Sequence, residues 1–198
     1  MIVRSDRPTG GSGASFRGTE AQAKDVCLRL LADRARSRAE LADKLAAKGF
    51  DPEVAERVLD RLAEVRLIDD ADFAEQWVRS RHTYSGRGKR ALAVELRRKG
   101  VGPEDAARAL DLIDADDERA RATELVARKL RTMSVTDTDK ATRRLVGMLA
   151  RRGFAASMAF EIVKSQIAAK SQIEEQSESG PGIGGDEPSD GLDVAVDE

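Results

Sequence analysis

Few residues in this sequence are of the types that carry out catalysis or bind metal ions. His82 is the only histidine, so the chain lacks the histidine pair found in many zinc sites. Cys27 is the only cysteine, and its place on an apolar helical face predicts a small buried residue rather than a reactive thiol. The carboxylates Asp69, Asp70 and Asp72 precede an apolar helix, where capping explains them better than metal binding. We therefore predict that the protein is not an enzyme and has no metal ion or cofactor.

Basic residues give a stronger signal than these groups. Residues 79–99 contain eight Lys and Arg against one acid, Glu95, and a second basic stretch covers residues 128–152. Several of these cations end helices, where they offset the helix dipole, so a solvated surface role is the simpler interpretation of any single one. As a set they predict a surface attracted to phosphate, to an acidic protein groove, or to both. The candidates are Arg79, Arg81, Arg87, Lys89, Arg90, Arg97, Arg98, Lys99, Arg143, Arg144, Arg151 and Arg152.

Charge is distributed unevenly along the chain. The formal net charge is −2, but residues 171–198 contain nine of the 36 acidic residues and no Lys or Arg. Without them, 27 acids stand against 34 Lys and Arg, which gives a net charge of +7 for residues 1–170. No apolar run approaches the ~18 residues of a membrane helix, and a single cysteine fits a reducing compartment. We therefore predict a soluble, cytoplasmic protein with a basic folded part.

An internal repeat positions the basic residues. The segment Leu92–Ile113 has counterparts at Leu41–Leu62 and Leu145–Gln166. Each copy contains a glycine at the same position, with leucines eight and four residues before it. Leucines four apart predict an amphipathic helix, and glycine ends a helix in the left-handed conformation at no steric cost. Each copy therefore predicts a helix, a tight turn and a second helix. The turn glycines are Gly49, Gly100 and Gly153.

A further apolar helix precedes each copy, which makes a three-helix repeat. We predict an all-α protein with three tandem helix-turn-helix-like repeats at residues 20–68, 69–114 and 115–168. Because a bundle of this size is marginally stable alone, neighbouring repeats should pack together in an elongated, curved array. Residues 1–19 and the acidic tail 169–198 are predicted to be disordered, since they lack an apolar period.

Four segments, in this order, resemble the RecX family of bacterial regulators: SRAELADKLAAKGF, LIDDADFAEQWVRSR, ALAVELRRKGV and LARRGF. The resemblance covers residues 21–167. It implies tandem three-helix repeats that bind the RecA recombinase along the groove of the RecA–single-stranded DNA filament. It also implies inhibition of strand exchange, ATP hydrolysis and co-protease activity, with roles in DNA repair, recombination and the SOS response. We predict a monomer whose partner is RecA, with weak direct contact to DNA.

Direct DNA binding is the alternative function. Helix-turn-helix geometry suggests a major-groove reader, but the helices after the turns begin with acids such as Glu53 and Glu104, which would repel phosphates. Exposed aromatic residues that could stack on single strands are few, mainly Tyr84. The alternative that stays open is a protein that binds nucleic acid without sequence preference and acts on recombination indirectly. Tighter binding to a RecA–DNA filament than to the same bare DNA would distinguish the two functions.

Overall fold

Nine helices make up the part of the chain that the structure describes. The structure is a computed structural model that describes residues 18–178, with side chains for residues 18–173. Repeat 1 contains α1 (Glu20–Asp33), α2 (Arg38–Ala47) and α3 (Pro52–Glu64); repeat 2 contains α4 (Asp70–Ser85), α5 (Lys89–Arg98) and α6 (Pro103–Asp111); repeat 3 contains α7 (Ala115–Arg131), α8 (Thr138–Arg151) and α9 (Ala156–Glu178). Residues 18–178 contain no strand. The predicted all-α fold of three tandem three-helix repeats is therefore confirmed.

Each repeat buries its own apolar core. The leucines four residues apart that define the repeat are fully buried in all three copies. Cys27 is also fully buried, as predicted, and burial raises the pKa of its thiol. Trp77, which the apolar period assigns to the core, is only partly buried at the edge of the repeat 2 core. Its indole is therefore available to polar neighbours.

The three glycine turns are closed by the same hydrogen bonds. The φ angles are 80° at Gly49, 72° at Gly100 and 90° at Gly153, all in the left-handed region. In each turn the N–H groups of the glycine and of the next residue donate to carbonyls three and five residues earlier, at 2.9–3.2 Å. This pattern is the Schellman motif, which is accompanied by an apolar contact from the residue after the glycine. The buried residues at that position are Phe50, Val101 and Phe154.

Aspartates cap the helices that open repeats 2 and 3. Asp69 Oδ1 accepts the N–H of Asp72 at 3.0 Å, and Asp114 Oδ1 accepts the N–H of Asp117 at 2.7 Å. Capping thus accounts for an acid at the start of each acidic run in the sequence.

Three helix boundaries differ from those the sequence suggests. The two glycines in residues 84–88 predict a loop there, but α4 continues through Tyr84 and Ser85 and ends at Gly86 with a left-handed φ of 59°. The sequence predicts a long loop at residues 132–139, but α8 begins at Thr138, because Asp137 caps it. α9 continues to Glu178, through part of the predicted disordered tail, since no Gly or Pro interrupts it. The predicted disorder of residues 1–17 and 179–198 lies outside the described residues.

Repeats 1 and 2 meet at a junction built on the start of α2. The N–H of Arg38 donates to Asp70 Oδ1 of α4 at 2.8 Å, and Ser37 Oγ donates to the carbonyl of Lys99 at 2.5 Å. Lys99 Nζ also lies 2.6 Å from Glu40 Oε1. An acid from the first helix of repeat 2 thus caps the second helix of repeat 1.

Repeats 2 and 3 meet at an equivalent junction, here called junction 2–3. The N–H of Lys89, at the start of α5, donates to Glu118 Oε1 of α7 at 2.8 Å. The N–H of Gly88 donates to the carbonyl of Arg152 at 2.8 Å, and the N–H of Arg90 donates to the carbonyl of Gly153 at 3.2 Å. Consecutive repeats are therefore joined through helix starts and turn backbones. Within residues 18–178, no helix is long and apolar enough to cross a membrane.

Glu40 is expected to make the stability of the first junction depend on pH. Burial raises the pKa of Glu40, but hydrogen bonds from Arg34 and Lys99 lower it more, to about 2 from an ordinary 4.5. A depressed pKa in the folded state stabilises the protein above pH 4.5, and that contribution is lost as the pH falls towards 2. We expect Glu40→Gln to destabilise the protein by about 2 kcal/mol at pH 7 and to reduce the loss of stability between pH 5 and about 2. Urea unfolding across this range measures both effects, with the exposed Glu64→Gln as control. A parallel pH dependence in the wild type and Glu40→Gln would contradict the prediction.

Candidate partner interface

The predicted basic residues lie in separate groups along the described helices. The largest group lies at junction 2–3. Arg97, Arg98 and Lys99 lie at the opposite end of α5, a helix of ten residues and about 15 Å. Arg143 and Arg144 are exposed on α8, two turns before its end. Arg79 is exposed on α4. The residues at junction 2–3 are Arg81, Arg87, Lys89, Arg90, Arg151 and Arg152.

A concave site at junction 2–3, here called the junction pocket, brings four arginines together. Its walls come from the end of α4, the connection to α5, and the end of α8. The walls approach closely because Gly88 packs against the backbone of Gly153, where an added Cβ would lie 2.7 Å from the carbonyl atoms. The lining residues are Arg81, Ser85, Arg87, Met148, Arg151 and Arg152.

Glu95 is the carboxylate that partly neutralises this site. Its Oε2 lies 3.2 Å from Arg81 Nε, and its Oε1 lies 3.3 Å from Arg87 Nε. The indole N–H of Trp77 donates to the same carboxylate at 3.0 Å. Arg81 also lies over the Trp77 ring, 5.1 Å from its centroid. The only acid of the first basic stretch is therefore used inside the protein, between α4 and α5.

Arg152 lies where positive charge accumulates. Its Nη1 donates to the carbonyl of Ser85 at 2.9 Å, which ties the end of α8 to the end of α4. The pKa of the Arg152 guanidinium is lowered by burial and by the nearby charges of Arg128, Arg87 and Arg121. The site thus holds more cationic charge than its own carboxylate compensates.

Two of these neighbours, Arg121 and Arg128, were not among the candidates. Both belong to α7, and their spacing of seven residues places them on one face of that helix. This spacing is the signal that could have found them. The Arg121 Nε is buried without a hydrogen-bond partner among the described residues, while its terminal nitrogens contact Glu124 and the carbonyl of Thr83.

Lys99 has a structural role that the sequence did not indicate. Its Nζ pairs with Glu40 at 2.6 Å and lies 4.4 Å from the centroid of the Trp77 ring, a cation–π distance. The backbone amide of Lys89 is likewise taken up by Glu118. Seven candidates are exposed and form no salt bridge within the described residues: Arg79, Arg90, Arg97, Arg98, Arg143, Arg144 and Arg151.

His82 supports the connection that carries Arg87. Its Nδ1 lies 2.8 Å from the carbonyl of Arg87, and because a carbonyl only accepts, this nitrogen carries the proton. The described residues contain no group of three His, Cys, Asp or Glu side chains arranged to hold a metal ion.

Comparison with known families assigns all three repeats. Residues 23–62 match the family model for the RecX first three-helix domain, residues 69–110 match that for the second, and residues 116–163 match that for the third. The three matches follow the order of the repeats along the chain.

Individual relatives and solved structures agree with this assignment. The chain is 56% identical over 168 residues to Regulatory protein RecX of Mycolicibacterium smegmatis, covering 83% of this chain and 89% of that protein. It is 58% identical over 152 residues to Regulatory protein RecX of Mycobacteroides abscessus, covering 76% and 74%. The crystal structure of RecX from Lactobacillus salivarius shares the fold, with a TM-score of 0.65, 21% identity, and coverage of 75% of this chain and 97% of that one. A crystal structure of regulatory protein RecX gives a TM-score of 0.63 at 26% identity, covering 74% and 71%.

Proposed function

The chain belongs to the RecX family, and from that premise we propose that it is a regulator of the RecA recombinase. It binds the RecA–single-stranded DNA filament along its helical groove and restrains strand exchange, ATP hydrolysis and co-protease activity. The observation that carries this proposal is the match of all three repeats, in order, to the three family domains. Its place in the cell is then the cytoplasm, in DNA repair, recombination and the SOS response.

The mechanism we propose is occupation of the groove and not catalysis. Three repeats joined end to end provide a long binding surface, and the joints between them are held by backbone hydrogen bonds. The uncompensated cations of junction 2–3 supply electrostatic attraction to an acidic or phosphate-lined groove. A single chain acting as a monomer suffices for this mode of binding.

Sequence-specific DNA reading is less well supported by the geometry. The helices that follow the first two glycine turns, α3 and α6, carry Glu53, Glu104 and Asp105 in their first turns. In a helix-turn-helix reader that end of the helix contacts the bases, and carboxylates there repel the DNA phosphates. The acids instead offset the positive end of each helix dipole.

Binding to the filament and to the same DNA alone tests this function. We expect the protein to bind a RecA–single-stranded DNA filament at least tenfold more tightly than the bare strand at equal salt, and to slow ATP hydrolysis over the same concentration range. Fluorescence anisotropy with a labelled oligonucleotide measures both affinities. Equal affinity for the filament and the bare strand would instead favour a sequence-independent nucleic-acid-binding protein.

A further inference from the structure

The junction pocket contains more guanidinium donors than the protein itself uses. The nearest contacts of Glu95 with Arg81 and Arg87 are made through Nε, and the terminal nitrogens of Arg87 make no hydrogen bond to a carboxylate among the described residues. Arg151 is exposed and has no acidic partner in the same part of the chain. Four arginines thus line a concave site with one partly buried carboxylate. Planar guanidinium groups that converge in this way are suited to an oxyanion with several acceptor oxygens.

An exposed aromatic residue lies on the helix that forms one wall of the pocket. Tyr84 is 85% exposed and is the only tyrosine of the chain. It lies on α4, three residues after Arg81 and directly before Ser85. Arg81 and Ser85 both line the pocket. Residues three apart are neighbours on a helix surface, so the backbone of Tyr84 lies beside that of Arg81, although its side chain does not line the pocket. Nothing in the repeat core accounts for an aromatic residue at this position.

We propose that the junction pocket binds a phosphodiester group of single-stranded nucleic acid, with Tyr84 stacking against the adjoining base. Arg87 and Arg151 donate to the phosphate oxygens from the two sides of junction 2–3. Arg152, fixed by its bond to the Ser85 carbonyl, adds a stationary charge. This inference deepens the proposed function, because it assigns the DNA strand, rather than the recombinase, to this site.

Nucleic acid fits the site better than an acidic peptide for two reasons. The oxygens of a phosphodiester surround a tetrahedral phosphorus, so guanidinium groups can approach from several directions, whereas the two oxygens of a carboxylate lie in one plane. One carboxylate is already present in Glu95. An exposed tyrosine beside a cationic groove is the combination that binds single strands without sequence preference, by stacking and charge together. A peptide carboxylate would leave the ring of Tyr84 unused.

The fluorescence of Trp77 can report the binding of a ligand at this site. It is the only tryptophan of the chain, and its indole N–H is hydrogen-bonded to the carboxylate that holds Arg81 and Arg87. A phosphate that engages these arginines competes with Glu95, so the environment of the indole changes. We expect the emission of Trp77 to shift when an oligonucleotide binds.

The test uses the full chain and a labelled oligothymidylate, without RecA. Three variants are compared with the wild type by anisotropy at several salt concentrations: Arg87→Gln with Arg151→Gln, Tyr84→Ala, and Arg97→Gln with Arg98→Gln. The last is the matched control, since it removes two exposed charges from the other end of α5. Circular dichroism establishes that each variant is folded.

The expected results separate charge from stacking. The variant with Arg87→Gln and Arg151→Gln, here called the pocket pair, should weaken binding at least tenfold. Because each phosphate contact on a single strand contributes about 0.7 to the slope of log affinity against log salt, losing two contacts should reduce that slope by about 1.4. Tyr84→Ala should weaken binding about fivefold or more and leave the slope unchanged. The control pair should weaken binding less than threefold and keep the shift of Trp77 emission.

Two results would overturn the inference. One is that the pocket pair and the control pair weaken binding equally, which would show that binding depends on the overall positive charge and not on the pocket. The other is binding of polyglutamate with the same affinity and the same dependence on the pocket pair, which would make the ligand an acidic peptide. Because RecA is absent, neither result bears on binding to the filament, which is measured separately.

Discussion

Replacing Gly153 with alanine is expected to destabilise the protein by about 3 kcal/mol or more. Its φ of 90° costs an alanine about 1–2 kcal/mol of backbone strain. An added Cβ would also lie 2.3 Å from the backbone nitrogen and 2.4 Å from the Cβ of Ala91, so α5 must move away from repeat 3. That overlap costs about a further 1–3 kcal/mol, and the movement weakens the bond from the Arg90 N–H to the Gly153 carbonyl.

Gly49→Ala is the matched control for this prediction. Gly49 has a similar φ of 80° but is exposed, so only the backbone strain of about 1–2 kcal/mol is expected. Urea unfolding followed by circular dichroism measures both variants. Because repeats stabilise one another through their interfaces, Gly153→Ala should also broaden the transition as repeat 3 unfolds separately. Equal destabilisation by the two substitutions would show that Gly153 acts only through its φ angle.

Local features of the fold were predictable from the sequence. The leucine period, the glycines and the capping aspartates act within a few residues, and each produces the expected helix, turn or cap. The helix boundaries that differ from the predicted ones are also set by nearby residues, but the sequence indicates them less clearly. α4, for example, ends at Gly86 and not before Tyr84, because the glycine rather than the polar residues stops the helix.

Contacts between repeats were not predictable in this way. Glu118 caps α5 from 29 residues away in the chain, and Ser37 meets the carbonyl of Lys99 across 62 residues. A periodic pattern shows which face of a helix is apolar but does not show which polar group lies opposite it. The carboxylates of residues 114–118 lie at the start of α7, where the sequence alone predicts a cap for that helix, whereas Glu118 caps α5 of the neighbouring repeat.

The same limit applies to the candidate interface. The basic composition of residues 79–99 predicted an attractive surface, but Lys99 pairs with Glu40 and lies over Trp77, and Glu95 partly neutralises Arg81 and Arg87. Arg121 and Arg128 reach the site from α7, where Arg121 lies outside both basic stretches and Arg128 is the first residue of the second. Charge counting identifies a basic region, and the three-dimensional arrangement decides which of its residues can meet a partner.

Reversing the charge of Arg90 and Arg151 is expected to abolish most binding to the RecA–DNA filament. Both side chains are exposed at junction 2–3 and have no acidic partner among residues 18–173. Glutamate near the start of α5 is favoured by the helix dipole, and glutamate at the end of α8 is disfavoured by a similar amount, so the fold should be little affected. Arg87 is a poorer choice, because a glutamate there would face Glu95.

We expect the Arg90→Glu, Arg151→Glu variant to bind the filament at least tenfold more weakly at low salt, with inhibition of ATP hydrolysis reduced in parallel. The loss should shrink at high salt, since exposed charges are screened over a Debye length of about 10 Å at 0.1 M. Arg97→Glu with Arg98→Glu changes the net charge equally at the other end of α5 and serves as control. If both pairs weaken binding alike, overall charge attracts the protein to the filament and junction 2–3 has no special part in it. If only the junction pair fails to inhibit, the filament contacts the protein where repeats 2 and 3 meet.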